Sequence, residues 1–98
     1  MTARLSPRAL AQIRALADHY AQLGRPEAIR NLAAAIDTAQ RSVPLLERHA
    51  AAPGPYPGLA RPGTAWIKSG RYWIAYITLR PRFIRAVFHD TATIPTRL

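Results

Sequence analysis

Apolar positions recur along this chain at two different periods, and the change of period divides it. Leu10, Ile13, Leu16, Ala17, Tyr20 and Leu23 fall three or four residues apart, with Arg8, Arg14, Asp18 and Gln22 on the opposite side. That is the pattern of an amphipathic helix. Ser6 and Pro7 supply its start, a capping side chain followed by a proline at the first helical position, and Gly24 supplies its end. A second series, Ile29, Leu32, Ala33, Ile36, Ala39, Val43 and Leu46, begins behind Pro26 and Glu27. An early proline is tolerated there and an early carboxylate complements the helix dipole. The Gly24-Arg25 connection is too short for anything but an antiparallel pair. Pro44 interrupts the second series, so the helix either kinks or restarts as a short third helix capped by Ser42.

Residues 51–64 hold four prolines and three glycines, which is loop composition. Beyond them the period drops to two. Residues 65–68, then Ser69-Gly70, then 72–79 read as a hairpin around a tight glycine-containing turn. The second of these strands is apolar on both sides, with Tyr72, Ile74 and Tyr76 facing one way and Trp73, Ala75, Ile77 and Leu79 the other. Such a strand belongs in the middle of a sheet and is covered on at least part of each face. Arg80-Pro81 turns the chain into a third strand, 82–89, where Ile84, Ala86 and Phe88 are expected to face the helices. Arg85, Val87 and His89 are expected on a partly open, basic face. Leu5-Ser6-Pro7 also reads as the end of a short extended segment before the first helix. Helices first and strands afterwards make an α+β fold. Ninety-eight residues suffice for one such core, so residues 1–98 are taken as a single domain.

Charge changes this picture more than composition does. The chain carries 14 Lys+Arg against 5 Asp+Glu, a formal net charge of +9, and no cysteine. Disulfides, Cys-ligated zinc and a cysteine nucleophile are thereby excluded. Residues 1–47 mix six arginines with four acids, but 48–89 hold Arg48, Arg61, Lys68, Arg71, Arg80, Arg82 and Arg85 with no acid at all. A solvated surface normally mixes both signs, so this half is expected to meet an acidic partner or nucleic acid. The longest purely apolar run, Tyr72–Ile77, is far short of a membrane span, and arginines interrupt the stretches a secretory signal would need. No membrane partner and a cytoplasmic location are expected.

Candidate chemistry is sparse. The five acids are scattered, and no two are placed like a glycosidase pair. His19, His49 and His89 lack metal-ligand spacing; His89 and Asp90 are neighbours expected on opposite faces of a strand, so no metal and no cofactor is assigned. The glycines lie among prolines and not before a helix, which excludes a phosphate-binding loop. What remains is a sheet with Lys68, Arg71, Arg82, Arg85 and His89 near it, plus Tyr72 and Tyr76. A histidine with arginines and a tyrosine suffices either for metal-free RNA cleavage or for simple phosphate binding.

In this order, a short start, a helical hairpin, a Pro/Gly loop, the strand Arg71-Tyr72-Trp73-Ile74-Ala75-Tyr76 and the strand Phe83-Ile84-Arg85-Ala86-Val87-Phe88-His89 resemble the RelE/ParE superfamily of toxins from bacterial type II toxin–antitoxin systems. Leu5-Ser6-Pro7-x-Ala9 is similar to the family's lead into its first helix. The resemblance implies a small curled antiparallel sheet of three to four strands packed on the hairpin, and a cognate acidic antitoxin that wraps the toxin. Ribosome-dependent mRNA-cleaving members usually carry an arginine three residues before the second tyrosine of the strand; Trp73 stands there in this chain. Neither a basic nor a tyrosine-bearing tail follows His89, since Asp90 to Pro95 do. The chain therefore looks closer to the ParE branch, whose members inhibit DNA gyrase by binding and not by catalysis. Under that reading Arg61, Lys68, Arg71, Arg80, Arg82, Arg85 and His89 contact the gyrase–DNA complex or the antitoxin, and no residue is catalytic. The alternative is a ribosome-dependent mRNA endoribonuclease using His89, Arg71, Arg85 and Tyr72, with ribosome and mRNA as partners. A third possibility from another class is a non-toxic basic nucleic-acid-binding module.

Overall fold

The structure, a computed structural model, describes residues 2–91. The tail whose composition entered the comparison of branches lies, from residue 92 onward, outside the described residues. A short strand β1 (Arg4–Leu5) leads into helix α1 (Pro7–Gln22) and helix α2 (Pro26–Ser42). Strands β2 (Thr64–Ser69), β3 (Tyr72–Ile77) and β4 (Phe83–His89) follow after the loop. Together they form an α+β fold with both helices on one face of a four-stranded sheet of order β1-β4-β3-β2. The three long strands are antiparallel, but β1 runs parallel to β4, so the sheet is mixed. Only two residues of β1 take part, which is why its pairing left no periodic signal in the sequence.

Local chemistry explains each boundary. The Ser6 hydroxyl accepts from the Ala9 amide at 3.0 Å, capping α1, and donates to the Arg85 carbonyl at 3.1 Å, so one side chain fixes both the helix start and its height on β4. Gly24 adopts φ +64° and closes α1 with paired bonds, Gly24 N–H to Ala21 and Arg25 N–H to Tyr20. This 5→2, 6→1 pairing reverses the chain in two residues and produces the antiparallel hairpin. At Pro44 the chain does not kink within α2: the helix ends at Ser42 and Val43–Leu45 form a single 3-10 turn. Ser42 does not cap that turn; its hydroxyl donates back to the Thr38 carbonyl at 2.8 Å.

The core lies between the hairpin and the sheet. Leu32, Ala35, Ile36 and Ala39 of α2 and Ala9 and Tyr20 of α1 pack on Ala65, Tyr72, Ile74, Tyr76, Ile84 and Val87. Leu32, Ile36, Ala39 and Val43 are buried as expected, but Ala33 is exposed and Ala35 takes its place in the inner stripe. The β2–β3 hairpin runs close under α2. Gly70, at φ +57°, sits where an added Cβ would come 3.3 Å from the Ala35 Cβ, and the Ser69 hydroxyl donates to the Ala35 carbonyl at 2.7 Å.

Strand β4 departs from the expected alternation. Its register slips by one residue against β3 between Ala75 and Tyr76, which pair with Ala86 and Ile84. Arg85 is the extra residue of this bulge, and alternation restarts beyond it. Ile84 and Val87 therefore both face the helices, whereas Ala86 and Phe88, expected on that side, join a second cluster on the outer face with Trp66, Ala75 and Leu59. Leu59 and Tyr56 reach this cluster from the Pro/Gly loop, so that segment covers the outer face, which is a second apolar layer and not an open basic surface. Past the end of β1 the free edge of β4 is met by α1, where the Gln12 side chain accepts from the Val87 amide at 2.8 Å.

Candidate functional site

The cations that the sequence groups together occupy three separate places. Lys68, Arg71 and His89 meet at one end of the sheet. Arg80 and Arg82 lie at the other end of β4, about 20 Å away at the usual rise per residue. Arg85 and Arg61 belong to the outer side. The bulge separates the nuclease candidates in particular: Arg85 turns outward to donate to the Thr64 hydroxyl at 2.8 Å. His89 stays on the helix side, edge-on to Tyr72 with ring centroids 5.3 Å apart. The Arg61 guanidinium folds back on the carbonyls of Gly58 and Ala60.

At the first end the organising group is Asp90, which lay just outside the acid-free segment and was not among the expected site residues. Its carboxylate is 3.2 Å from the Lys68 ammonium, 3.7 Å from the Arg71 guanidinium and 3.3 Å from His89 Nδ1. The expectation that His89 and Asp90 point to opposite faces fails because β4 stops at His89 and the chain turns, so strand alternation no longer applies. Desolvation pushes the Asp90 carboxyl up, but the Lys68 hydrogen bond and the charges of Arg71, Lys68 and His89 outweigh it and hold the group below its ordinary value of 3.8. The sign of the pH effect follows. A carboxyl depressed in the folded state binds fewer protons than in the unfolded chain, so its contribution is complete above the ordinary value and disappears as pH falls through the lowered one. Asp90→Asn should flatten the decline of unfolding free energy between about pH 5 and pH 2, measured by urea titration at each pH. An unchanged slope would show that the carboxylate contributes nothing.

Tyr72 is poorly placed for proton transfer. The Tyr72 hydroxyl is bonded to the Tyr20 hydroxyl at 2.7 Å in a buried position, and burial, then that bond, raise it well above the usual phenol range. His89 Nδ1 accepts from the Thr91 amide at 3.2 Å and lies 2.7 Å from the Thr91 hydroxyl, which places the neutral ring's proton on Nε2. Tyr72, His89 and Arg71 nevertheless border a cleft of about 450 Å³ between α2 and the hairpin turn, with Tyr20, Arg25 and Asn31 on its walls. Lys68 also lies 5.4 Å from the Trp73 ring centroid, so Trp73 is a stacking platform for a cation.

At the opposite end Arg82 has a structural task. Its Nη1 donates to the carbonyls of Val43 and Leu46 at 2.8 Å each, and its Nε to Thr78 at 3.2 Å. These ties hold the end of the helical hairpin against the start of β4. Arg80 donates to the Pro44 carbonyl at 3.2 Å in the same region. Beside Arg82 stands a group absent from the expected site, exposed His49, whose Nδ1 lies 2.6 Å from the hydroxyl of buried Tyr76 and whose Nε2 lies 3.4 Å from Arg82 Nη2. Burial raises the Tyr76 hydroxyl, and Arg82 opposes part of that rise. Nothing in the spacing of His49, 27 residues before Tyr76, signals the contact; it depends on how the Pro/Gly loop crosses the sheet edge, where Ala50 pairs with Trp66.

Neither a protein-family model, nor a curated protein, nor a solved structure matches the chain. No helix among the described residues is long and apolar enough to cross a membrane.

Proposed function

We propose that this chain is a toxin of the RelE/ParE kind, nearer the ParE branch, which arrests growth by binding a gyrase–DNA assembly and is neutralised by an acidic antitoxin in the cytoplasm. Support for the class comes from the resemblance of the strand motifs, joined to an architecture of the kind that resemblance implies. The observation that carries the choice of binding over catalysis is the bulge in β4. It puts Arg85 and His89 on opposite faces, while Tyr72 is bonded to Tyr20 and Arg71 lies beside Asp90. A general acid, a general base and a phosphate stabiliser need to converge on one substrate. Of these four candidates Arg71, Tyr72 and His89 border one cleft, but Arg85 is outside it and the Tyr72 hydroxyl is engaged by Tyr20, so His89 has no second proton-transfer group among them.

Tightly controlled expression in a bacterial host, with DNA, RNA and protein synthesis followed separately, tests the reading. Arrested supercoiling and DNA-damage signalling with intact mRNA are expected; rapid codon-positioned mRNA cuts would overturn it. His89→Ala should change toxicity less than about tenfold, whereas loss of a general acid or base costs on the order of 10²–10⁴-fold in rate.

One observation favours RNA cleavage as a second reading, though not with the residues the sequence suggested. His49, Tyr76 and Arg82 form a contiguous His–Tyr–Arg group in which His49 is exposed, Arg82 is half-buried and Tyr76 is buried beneath them. Against it, the Arg82 guanidinium is largely engaged by backbone carbonyls. A 10²-fold or larger loss of mRNA cutting in His49→Ala, with His89→Ala active, would establish this second centre.

A further inference from the structure

The groove at the Arg82 end differs in kind from the Asp90 end. It encloses about 890 Å³, and Leu5, Pro7, Pro44, Pro81 and Phe83 contribute its apolar floor. Arg4, Arg80 and Arg82 line it and no acid does. Among the described residues none of these three arginines has a carboxylate within ion-pair distance, whereas Lys68 and Arg71 at the far end share Asp90. Large exposed apolar side chains gather here too. Phe83 is 37% exposed, and Leu45 and Leu79, 79% and 76% exposed, are the chain neighbours of the groove residues Pro44 and Arg80. The Arg80–Pro44 hydrogen bond holds those two segments together. An apolar, concave surface framed by unneutralised guanidinium groups has the composition of a protein-docking site, in which apolar anchors sit centrally and charge lies around them.

From this geometry we infer that the groove between β1, Pro44 and the Arg80–Phe83 segment docks an acidic amphipathic segment of a partner protein, its apolar side chains on Leu5, Pro7 and Phe83 and its carboxylates on Arg4 and Arg80. Charge decides the occupant. A second copy of this chain would bring another net +9 and the same arginines, and a nucleic-acid strand would leave the aliphatic and proline floor without a partner. The inference stands on the groove's own chemistry. It survives failure of the toxin reading, because growth arrest and groove binding are measured separately.

The test is a display selection of random 16-residue peptides against the whole protein, followed by anisotropy titration of the synthesised winners and hydrogen-exchange mapping of the bound state. Winners with an excess of Asp and Glu interleaved with Leu, Ile or Phe are expected, protecting β1 and residues 79–83. Their affinity should fall roughly tenfold or more in Phe83→Ala, as for loss of a central anchor, and comparably in Arg80→Glu. Leu79→Glu serves beside Phe83→Ala because its side chain is already in solvent and its replacement leaves the fold intact. Winners without acidic excess, winners mapping to the 450 Å³ cleft, or titrations indifferent to these substitutions would overturn the inference. So would a concentration-dependent dimer, or binding to anionic phosphatidylglycerol vesicles, that Leu79→Glu abolishes while peptide binding is absent.

Discussion

Replacing Trp66 by alanine should lower the unfolding free energy by about 3–5 kcal/mol, the range for removing a large buried aromatic. Trp66 is 2% exposed and lies at the centre of the outer cluster, with Ala75 and Ala86 beside it and Leu59 above. Its ring stacks on Phe88 with centroids 6.2 Å apart. Its backbone amide also donates to the Ala50 carbonyl at 2.9 Å, so the strand and the start of the loop meet at this residue. The cavity left by alanine is bounded on one side by a Pro/Gly loop with little regular structure of its own, and the loop's anchors Leu59 and Tyr56 lose their main contact. A domain of this size has only about 5–15 kcal/mol to lose, so the variant should be partly unfolded near physiological temperature. Urea titration followed by far-ultraviolet circular dichroism measures it, since the remaining Trp73 alone is a poor probe of the whole. Trp66→Phe separates packing from polarity. The indole Nε1 is buried with no acceptor among the described residues, so phenylalanine removes an unpaired donor while shrinking the ring, and its cost should be much smaller. A loss under 1 kcal/mol in Trp66→Ala would mean that the loop does not seal the outer face.

That the outer face is a core was only half legible. The strand at 72–77 is apolar on both sides, and from that alone its central place and cover over part of each face follow, but the outer face was expected to be partly open and basic. What covers it could not be inferred, because Leu59 and Tyr56 sit in a segment whose composition announces only turns. The helical hairpin was legible for the opposite reason: Ser6, Pro7, Gly24 and Pro26 punctuate it locally, and each acts within a few residues. Strand β4 was misassigned at one residue. A bulge requires nothing unusual of Arg85, yet it shifts alternation for every position after it, and the expected grouping of Arg85 with His89 was lost in consequence. The candidate site suffered from the same limit. Its six cations and His89 are close in the sequence but are held at the two ends and on the outer face of a sheet about 20 Å long. Asp90 and His49 entered from outside the segment that the charge count had singled out.

Arg82→Met is the second large effect, expected to destabilise by about 2–4 kcal/mol although the residue is only part-buried and belongs to no apolar cluster. Methionine keeps much of the aliphatic length, so the loss isolates the guanidinium. That group answers the carbonyls of Val43 and Leu46, which end the hairpin after α2, and that of Thr78 before β4. Bonds from a charged donor contribute about 1.5–3 kcal/mol each in partly buried settings, and the contributions are not additive when one side chain makes all of them. The Val43 carbonyl keeps the Leu46 amide at 3.4 Å, but the Leu46 carbonyl loses the donor it has from Arg82, which adds a desolvation cost of its own. Arg82→Lys should recover only a minor part, since one ammonium cannot replace a planar group whose Nη1 and Nε address three carbonyls at once. Because Val43 lies in the inner core and Thr78 at the end of the β3 hairpin, the break also loosens the junction that shapes the groove. Peptide affinity at that groove should therefore fall in Arg82→Met beyond what the loss of one charge explains, whereas in Arg4→Gln, where the arginine donates to no carbonyl among the described residues, it should fall only by the electrostatic part. Chemical denaturation gives the first quantity and anisotropy titration the second. Equal affinity losses in the two variants, with Arg82→Met as stable as the parent, would show that Arg82 is merely one more surface cation.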